Sequence, residues 1–506
     1  YQLLDRKKAL INIHFPENPK IIEKARYRLK FEELLLVHLQ ILQQKQHLKQ
    51  KIQGHVFEKV GNYLTEFYNN HLPFELTNAQ KRVIKEIRAD IRSGKQMNRL
   101  LQGDVGSGKT LVALMNMLIA IDNGFQACLM APTEILAKQH YATLKSMLGN
   151  MDVSVELLTG SSSQKHRIVI HENLQNGNIQ ILIGTHTVIE DTVQFKNLGC
   201  VVIDEQHRFG VEQRARLWNK SDIPPHILVM TATPIPRTLA MTVYGNLDVS
   251  IIDELPPGRK PVKTLHYWES KRLRVYGFMR KQIKQGRQIY VVFPLISESE
   301  KLDLRNLMEG FDSIIKEFPP PEYQVSVVHG KMKSKEKDFE MKRFVEGVTD
   351  IMVSTTVIEV GVDVPNASVM IIENAERFGL SQLHQLRGRV GRGADQSYCI
   401  LMSGNKLSNE GRKRLEVMVH TNDGFKIAEA DLQLRGPGDL QGTQQSGVLN
   451  FKIANLTSDG ELIAKTNKIA KHILIKDTSL ALPENKLLKD QLDSIRSGGQ
   501  NWGRIS

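Results

Sequence analysis

The chain runs to 506 residues and carries 68 Lys plus Arg against 55 Asp plus Glu, a formal net charge of +13. A composition 41% hydrophobic and 24% charged is that of a globular protein rather than a disordered one, and one core cannot hold a chain this long, so roughly three or four domains are expected. No apolar run nears the roughly 20 residues of a bilayer span, which excludes a membrane helix, while the positive balance fits either a polyanionic partner or a basic, solvated surface.

Asn18-Pro19 pairs an N-cap residue with a proline at the first helical position. From there to about Gln50, residues Ile21, Ile22, Ala25, Leu29, Leu35, Leu36, Leu39 and Leu42 recur at helical spacing. Residues 1–72 are therefore expected to be mostly helical, with breaks near Gly54 and Gly61. The first residue is Tyr1 rather than Met, so a piece of a longer chain is expected.

Residues 73–256 alternate apolar runs (99–102, 126–131, 179–184, 199–204, 226–231) with helical segments, the pattern of a parallel sheet covered on both faces. Pro256-Pro257-Gly258 breaks it as a linker. A second series over 257–402 places strands at 288–293, 324–328, 350–354, 368–373 and 398–402. Two tandem doubly wound α/β domains follow from this. Beyond residue 403 the chain is expected to be helical and loop-rich, with a glycine-dense stretch at 435–447. Cys128 and Cys200 sit in apolar runs and Cys399 lies far from both, so core thiols in a reducing compartment are expected, not disulfides or metal ligands.

The chemistry begins at Gly103-Asp104-Val105-Gly106-Ser107-Gly108-Lys109-Thr110, which follows a buried strand and opens an apolar helix. A glycine-rich loop in that setting wraps a phosphate chain with backbone N–H groups at a helix N-terminus. Lys109 reaches the β/γ-phosphates and the Thr110 hydroxyl ligates Mg²⁺, so ATP and Mg²⁺ are the expected cofactors. Upstream, Phe74 offers a ring to stack on adenine, and Gln80 an amide for its edge. Downstream, the strand Val201-Val202-Ile203 ends in Asp204-Glu205. The first carboxylate suits the metal and the second suits deprotonation of the attacking water. Thr231-Ala232-Thr233-Pro234 ends another strand, placing the Thr231 and Thr233 hydroxyls near the acidic pair or a nucleic acid. The second α/β series has no phosphate loop. It offers Gln385-Leu386-Arg387-Gly388-Arg389-Val390-Gly391-Arg392, whose Arg389 and Arg392 are suited to stabilise transition-state charge across a cleft.

The order of these motifs resembles superfamily 2 helicases and translocases over residues 73–402. Ala131-Pro132-Thr133, Leu158-Thr159-Gly160 and Gly184-Thr185-His186 resemble that superfamily's strand-contacting motifs, and Ser354 to Asp363 its motif bridging nucleotide and nucleic acid. The resemblance implies tandem RecA-like domains, with Gly361 and Asp363 beside the nucleotide. It implies nucleic-acid contacts at Thr133, Thr159, Thr185, Thr356 and Gln385. Asp204 to Gly210, Thr231 to Thr238 and Glu254 to Arg259 narrow it to the RecG family and its relative Mfd. Asp431 to Leu440, followed by Gly442-Thr443-Gln444-Gln445, resembles the RecG form of the translocation motif, which implies that Arg435 and Gln444 couple hydrolysis to movement. Phe31 to Leu36 resembles the helical linker that follows the family's wedge domain, so the wedge is expected to be absent.

What this implies is a monomeric 3'-5' DNA helicase in the bacterial cytosol, associated with the nucleoid. Its substrates would be forks, Holliday junctions and R-loops, with single-stranded DNA-binding protein a further partner. Two other readings stay open: an Mfd-like translocase displacing stalled RNA polymerase, and a nucleotide-gated DNA-binding switch that moves little.

Overall fold

The computed structural model describes every residue except 1, 206–219, 222, 233–235, 237–246, 257, 259, 295–299, 356–363, 392, 394–395, 436–450, 457 and 498–506. The chain opens with α1 (Arg6–His14) and the 33-residue α2 (Pro19–Lys51), then α3 (Asn62–Glu66) and α4 (Asn78–Ile91). The first α/β unit follows as β1 (Asn98–Gly103), α5 (Lys109–Asp122), β2 (Gln126–Met130), α6 (Glu134–Leu148), β3 (Val155–Leu158), α7 (Gln164–Asn176), β4 (Ile181–Gly184), β5 (Leu198–Asp204), β6 (His226–Thr231) and β7 (Asp248–Ile252). Its strands are parallel in the order β3-β4-β2-β5-β6-β1-β7.

Side-chain alternation explains why these strands read as unbroken apolar runs. Leu101, Leu129, Val202 and Leu228 enter one core with α5, while Leu100, Cys128, Val201 and Ile227 enter another on the opposite face. Helix α5 is buried from Leu111 to Ile121, as befits a helix apolar all round.

The second unit comprises β8 (Lys263–Trp268), α8 (Arg272–Lys284), β9 (Gln288–Val292), α9 (Glu300–Glu317), β10 (Val325–Val328), α10 (Ser334–Val345), β11 (Ile351–Ser354), β12 (Ala367–Ile372), α11 (Leu380–Arg387) and β13 (Tyr398–Ser403). Its parallel sheet runs β10-β11-β9-β12-β13-β8. Then come α12 (Asn409–His420), α13 (Gly424–Arg435), α14 (Gly460–Lys476) and α15 (Lys486–Ser497). The three cysteines are free and buried. No helix among the described residues is long and apolar enough to cross a membrane.

The structure joins two segments that the sequence reading separates. Phe31, Leu34 and Leu39 of α2 share a core with Ile463, Ala470 and Leu474 of α14. The Lys30 ammonium meets Asp459 at 2.8 Å, and the Glu33 carboxylate accepts from the Ile453 and Ala454 N–H groups at 3.1 and 2.9 Å. Farther along α2, Lys45 pairs with Asp248 at 2.7 Å, tying the same helix to the first sheet. Because Leu34 is fully buried in this shared core, Leu34→Ala is expected to lower stability by about 2–5 kcal/mol in chemical denaturation. A loss near zero would contradict this packing.

Candidate active site

The phosphate loop forms because its sequence permits a tight reversal between β1 and α5. Gly106 and Gly108 take φ values of 76° and 88°, which cost a side-chain-bearing residue dearly. A Cβ on Gly108 would also run into the Gln80 amide. Gln80 is held by a capping box: Thr77 Oγ1 accepts from its N–H at 3.2 Å, and its Oε1 accepts from the Thr77 N–H at 2.9 Å. Its Nε2 donates to the Ser107 carbonyl at 2.9 Å. The Lys109 ammonium donates to the carbonyls of Gly103 and Asp104 at 2.7 and 2.9 Å. Ser107 Oγ is buried with no hydrogen-bond partner among the described residues, and Thr110 stands half-buried in the first turn of α5.

Three strand ends meet this loop. Register pairs Gln102 with Thr231 and Asp204 with Met230, so β1, β5 and β6 finish at one edge. That carboxyl edge is where open α/β sheets bind ligands. Asp204 Oδ2 accepts from His140 Nε2 of α6 at 2.8 Å. Burial pushes the Asp204 carboxyl up, but the His140 bond and charge, Lys109 and the Glu205 N–H outweigh it and hold the group below its usual range. Glu205 differs. Burial and the neighbouring Asp204 charge push it up to about 7, against the pull of Lys109, the Ala232 N–H and Arg389. Its backbone is left-handed at φ 54°, a conformation that side-chain-bearing residues seldom adopt and that clusters at functional sites. Oε1 accepts from the Ala232 N–H at 3.2 Å and Oε2 from Thr231 Oγ1 at 3.5 Å. Two adjacent carboxylates thus have opposed protonation tendencies, the pattern by which acid and base roles separate.

The second α/β unit reaches the same place. Gly388 packs so close that a Cβ there would lie 2.8 Å from Val105 Cβ, and the Arg389 charge acts on Glu205. A cavity of about 510 Å³ lies between the units, lined by Asp104, Ser107, Glu254, Lys260, His384 and Phe425 among others.

Lys109, Thr110, Asp204, Glu205, Thr231 and Arg389 therefore converge, together with the loop Gly103, Asp104, Val105, Gly106, Ser107 and Gly108. Phe74 packs half-buried on the first core, and Gln80 turns its amide to the phosphate loop rather than standing open for a base edge. The reason is local: its amide completes a capping box with Thr77. Thr159 and Thr185, expected to touch a strand, are only 2% and 5% exposed. Their hydroxyls bond internally, to Ser161 and Thr187, so they shape strand-end turns instead of meeting solvent. Thr133 caps α6, accepting from the Leu136 N–H at 3.4 Å. Gln385 is half-buried on α11, and Arg435 ends α13. Thr233, Thr356, Gly361, Asp363, Arg392 and Gln444 lie outside the described residues. His140 was not evident beforehand, since no local pattern says that α6 packs over the end of β5.

Family models match in three pieces: DEAD/DEAH box helicase over residues 77–242, helicase conserved C-terminal domain over 271–394, and the C-terminal part of domain 3 of ATP-dependent DNA helicase RecG over 421–506. The ATP-dependent DNA helicase RecG of Bacillus subtilis is 47% identical over 508 residues, spanning 100% of this chain and 73% of that protein. The chain belongs to the RecG family. The RecG of a Synechocystis species is 51% identical over 99% of the chain, and the chain spans 60% of that protein's length. A solved RecG bound to a three-way DNA junction superposes with a TM-score of 0.72 at 44% identity, over 91% of this chain and 60% of that one. Yeast Dbp5 bound to RNA shares the fold alone, with a TM-score of 0.52 at 18% identity over 83% of this chain and 100% of that one.

Proposed function

We propose that this RecG-family chain hydrolyses ATP and uses the resulting domain movement to translocate on branched duplex DNA, as at stalled forks, Holliday junctions and R-loops. The observation that carries this reading is one base served by two units: Glu205 at the end of β5 feels Lys109 from its own unit and Arg389 from the other. Hydrolysis that needs both units is hydrolysis that moves one against the other.

The residues divide the chemistry. Backbone N–H groups of 104–110 and Lys109 grip the phosphates. Glu205 takes the proton from the attacking water while Thr231 and the Ala232 N–H orient it. Arg389 and Arg392 neutralise charge that develops on the γ-phosphoryl oxygens. Thr110 and Asp204 are the residues to hold Mg²⁺; an ionised carboxylate and a half-buried hydroxyl suit a cation that keeps most of its shell from water and phosphate. Bound there, Mg²⁺ would withdraw charge from the phosphates. Gly361 and Asp363, with Phe74 and Gln80, complete the nucleotide set on motif grounds. Thr133, Thr233, Thr356 and Gln385 line the nucleic-acid path, and Arg435 and Gln444 belong to the coupling loop. A monomer in the bacterial cytosol, near the nucleoid and in reach of single-stranded DNA-binding protein, fits these roles.

Displacement of a triplex-forming strand from linear duplex, with and without ATP, tests the reading; binding without ATP-dependent displacement would favour a nucleotide-gated switch instead. Contacts made to phosphates read no bases. Affinity for duplex DNA is therefore expected to fall steeply with salt, by about −0.9 in log K per log salt for each phosphate neutralised, and to vary little with sequence. A flat titration would contradict phosphate-based gripping.

A further inference from the structure

Helix α6 buries Ala137, His140, Leu144 and Leu148, a stripe at spacings of three and four with one polar member. Ala137, Leu144 and Leu148 join the first core, and His140 occupies a place on the same face where an apolar side chain would pack. It is only 8% exposed, and burying a polar ring costs free energy unless a partner takes up its nitrogens. The partner is the carboxylate that ends β5: His140 Nε2 lies 2.8 Å from Asp204 Oδ2. An ionised carboxylate only accepts, so the ring hydrogen sits on Nε2 and points at Asp204. Both ends of α6 are tied down. Thr133 caps its first turn, and the Gly149 N–H donates to the Lys145 carbonyl at 3.1 Å past its last. The ring thus reaches Asp204 from a helix fixed by packing and caps, not from a loop.

We infer that His140 is a positioning residue for Mg²⁺: by holding Asp204 Oδ2 it fixes the plane of the carboxylate and leaves Oδ1 for the cation's shell. This rests on the reading of Asp204 as a Mg²⁺ residue. A carboxylate on a strand end turns readily about its Cβ–Cγ bond, a broad and roughly two-fold torsion. One bond from a rigid donor removes that freedom before nucleotide arrives, as groups behind metal ligands commonly do. Glu205, the next residue, is held separately by the Thr231 hydroxyl and the Ala232 N–H. The two carboxylates therefore take their donors from different elements, α6 for Asp204 and the end of β6 for Glu205. A bond that merely satisfied a buried carboxylate would act on stability, and its loss would be indifferent to Mg²⁺. A bond that aims the carboxylate acts on the cation, and its loss is specific to it.

Titrating the whole chain with a fluorescent ADP analogue, in EDTA and over a range of Mg²⁺, gives the nucleotide affinity without the cation and the Mg²⁺ needed to strengthen it. His140→Leu is expected to raise the Mg²⁺ requirement roughly 10–100-fold while the Mg²⁺-free affinity stays within about twofold. ATP turnover should fall at low Mg²⁺ and recover as Mg²⁺ is raised. His140→Gln puts an amide N–H near the place of Nε2 and should keep most of the unsubstituted behaviour. His140→Asn carries the same amide one carbon short and should not. Thermal melts report folding; if the leucine variant does not fold, the Gln–Asn pair still decides, because both are polar and differ in reach. Asp204→Asn is the reference variant. An unchanged Mg²⁺ requirement in Asp204→Asn overturns the metal role of Asp204, and with it that of His140. A raised requirement in Asp204→Asn beside an unchanged one in His140→Leu and His140→Asn overturns the positioning role alone. So does an equal loss of affinity with and without Mg²⁺, or a turnover defect that Mg²⁺ does not recover, since either places His140 on the nucleotide or in the fold.

Discussion

Glu205→Gln is expected to leave ATP bound and almost unhydrolysed, whereas Lys109→Ala should lose both binding and turnover. The two residues meet at one sheet edge but act at different stages. Lys109 supplies a cation to phosphates already present in the bound state, so its loss weakens the ground state as well as the transition state. Burial and Asp204 raise the Glu205 carboxyl to about 7, so its ionised form is a stronger base than an ordinary carboxylate and can take a proton from water. The glutamine variant preserves shape: its Oε1 can still accept the Ala232 N–H while its Nε2 donates to the Thr231 hydroxyl, so the site should remain folded around nucleotide. Fluorescent-nucleotide titration and single-turnover hydrolysis separate the two effects. Near-normal turnover in Glu205→Gln would remove Glu205 from the role of base.

Loss of an arginine from the second unit should be nearly as severe and should spare affinity. An arginine acting on transition-state charge is worth roughly 10³–10⁵ in rate in P-loop systems. Arg389→Ala is expected to fall in that range with nucleotide affinity changed far less, and Arg389→Lys should not restore it, because a point charge lacks the planar fork. Arg392→Ala is expected to behave alike on the grounds of its motif. A variant of either residue that lost affinity and turnover in parallel would instead mark a ground-state contact.

The parts of this site that were legible beforehand are those whose chemistry is contiguous. The phosphate loop is eight neighbouring residues with glycine where φ must be positive, and Asp204-Glu205 end a strand apolar on both faces. Three of the four edge strands were not legible, β10 at 324–328 being the exception. Strands β3, β7 and β8 lie at sheet margins, where half-exposed residues such as Glu156, Asp248 and His266 interrupt the apolar run that marks a central strand. Residues acting across long separations were equally silent. His140 reaches Asp204 only because α6 folds over β5, His384 reaches Asp104 from 280 residues away, and α2 finds its core partner at the opposite end of the chain. Gln80 is an instructive middle case. Read along the chain it offered an amide for a base edge, and its capping box with Thr77 shows only in the local geometry.

If two units make one ATPase whose work is done on branched DNA, its turnover must depend on that DNA. The most direct measurement is the steady-state rate of ATP hydrolysis by the whole chain, compared without nucleic acid and with a fork, a Holliday junction, linear duplex and RNA at matched phosphate concentration. Low turnover alone is expected, with strong stimulation by duplex DNA, the strongest by the branched forms, and none by RNA. Turnover that ignores nucleic acid, or that RNA stimulates as well as DNA, would contradict it.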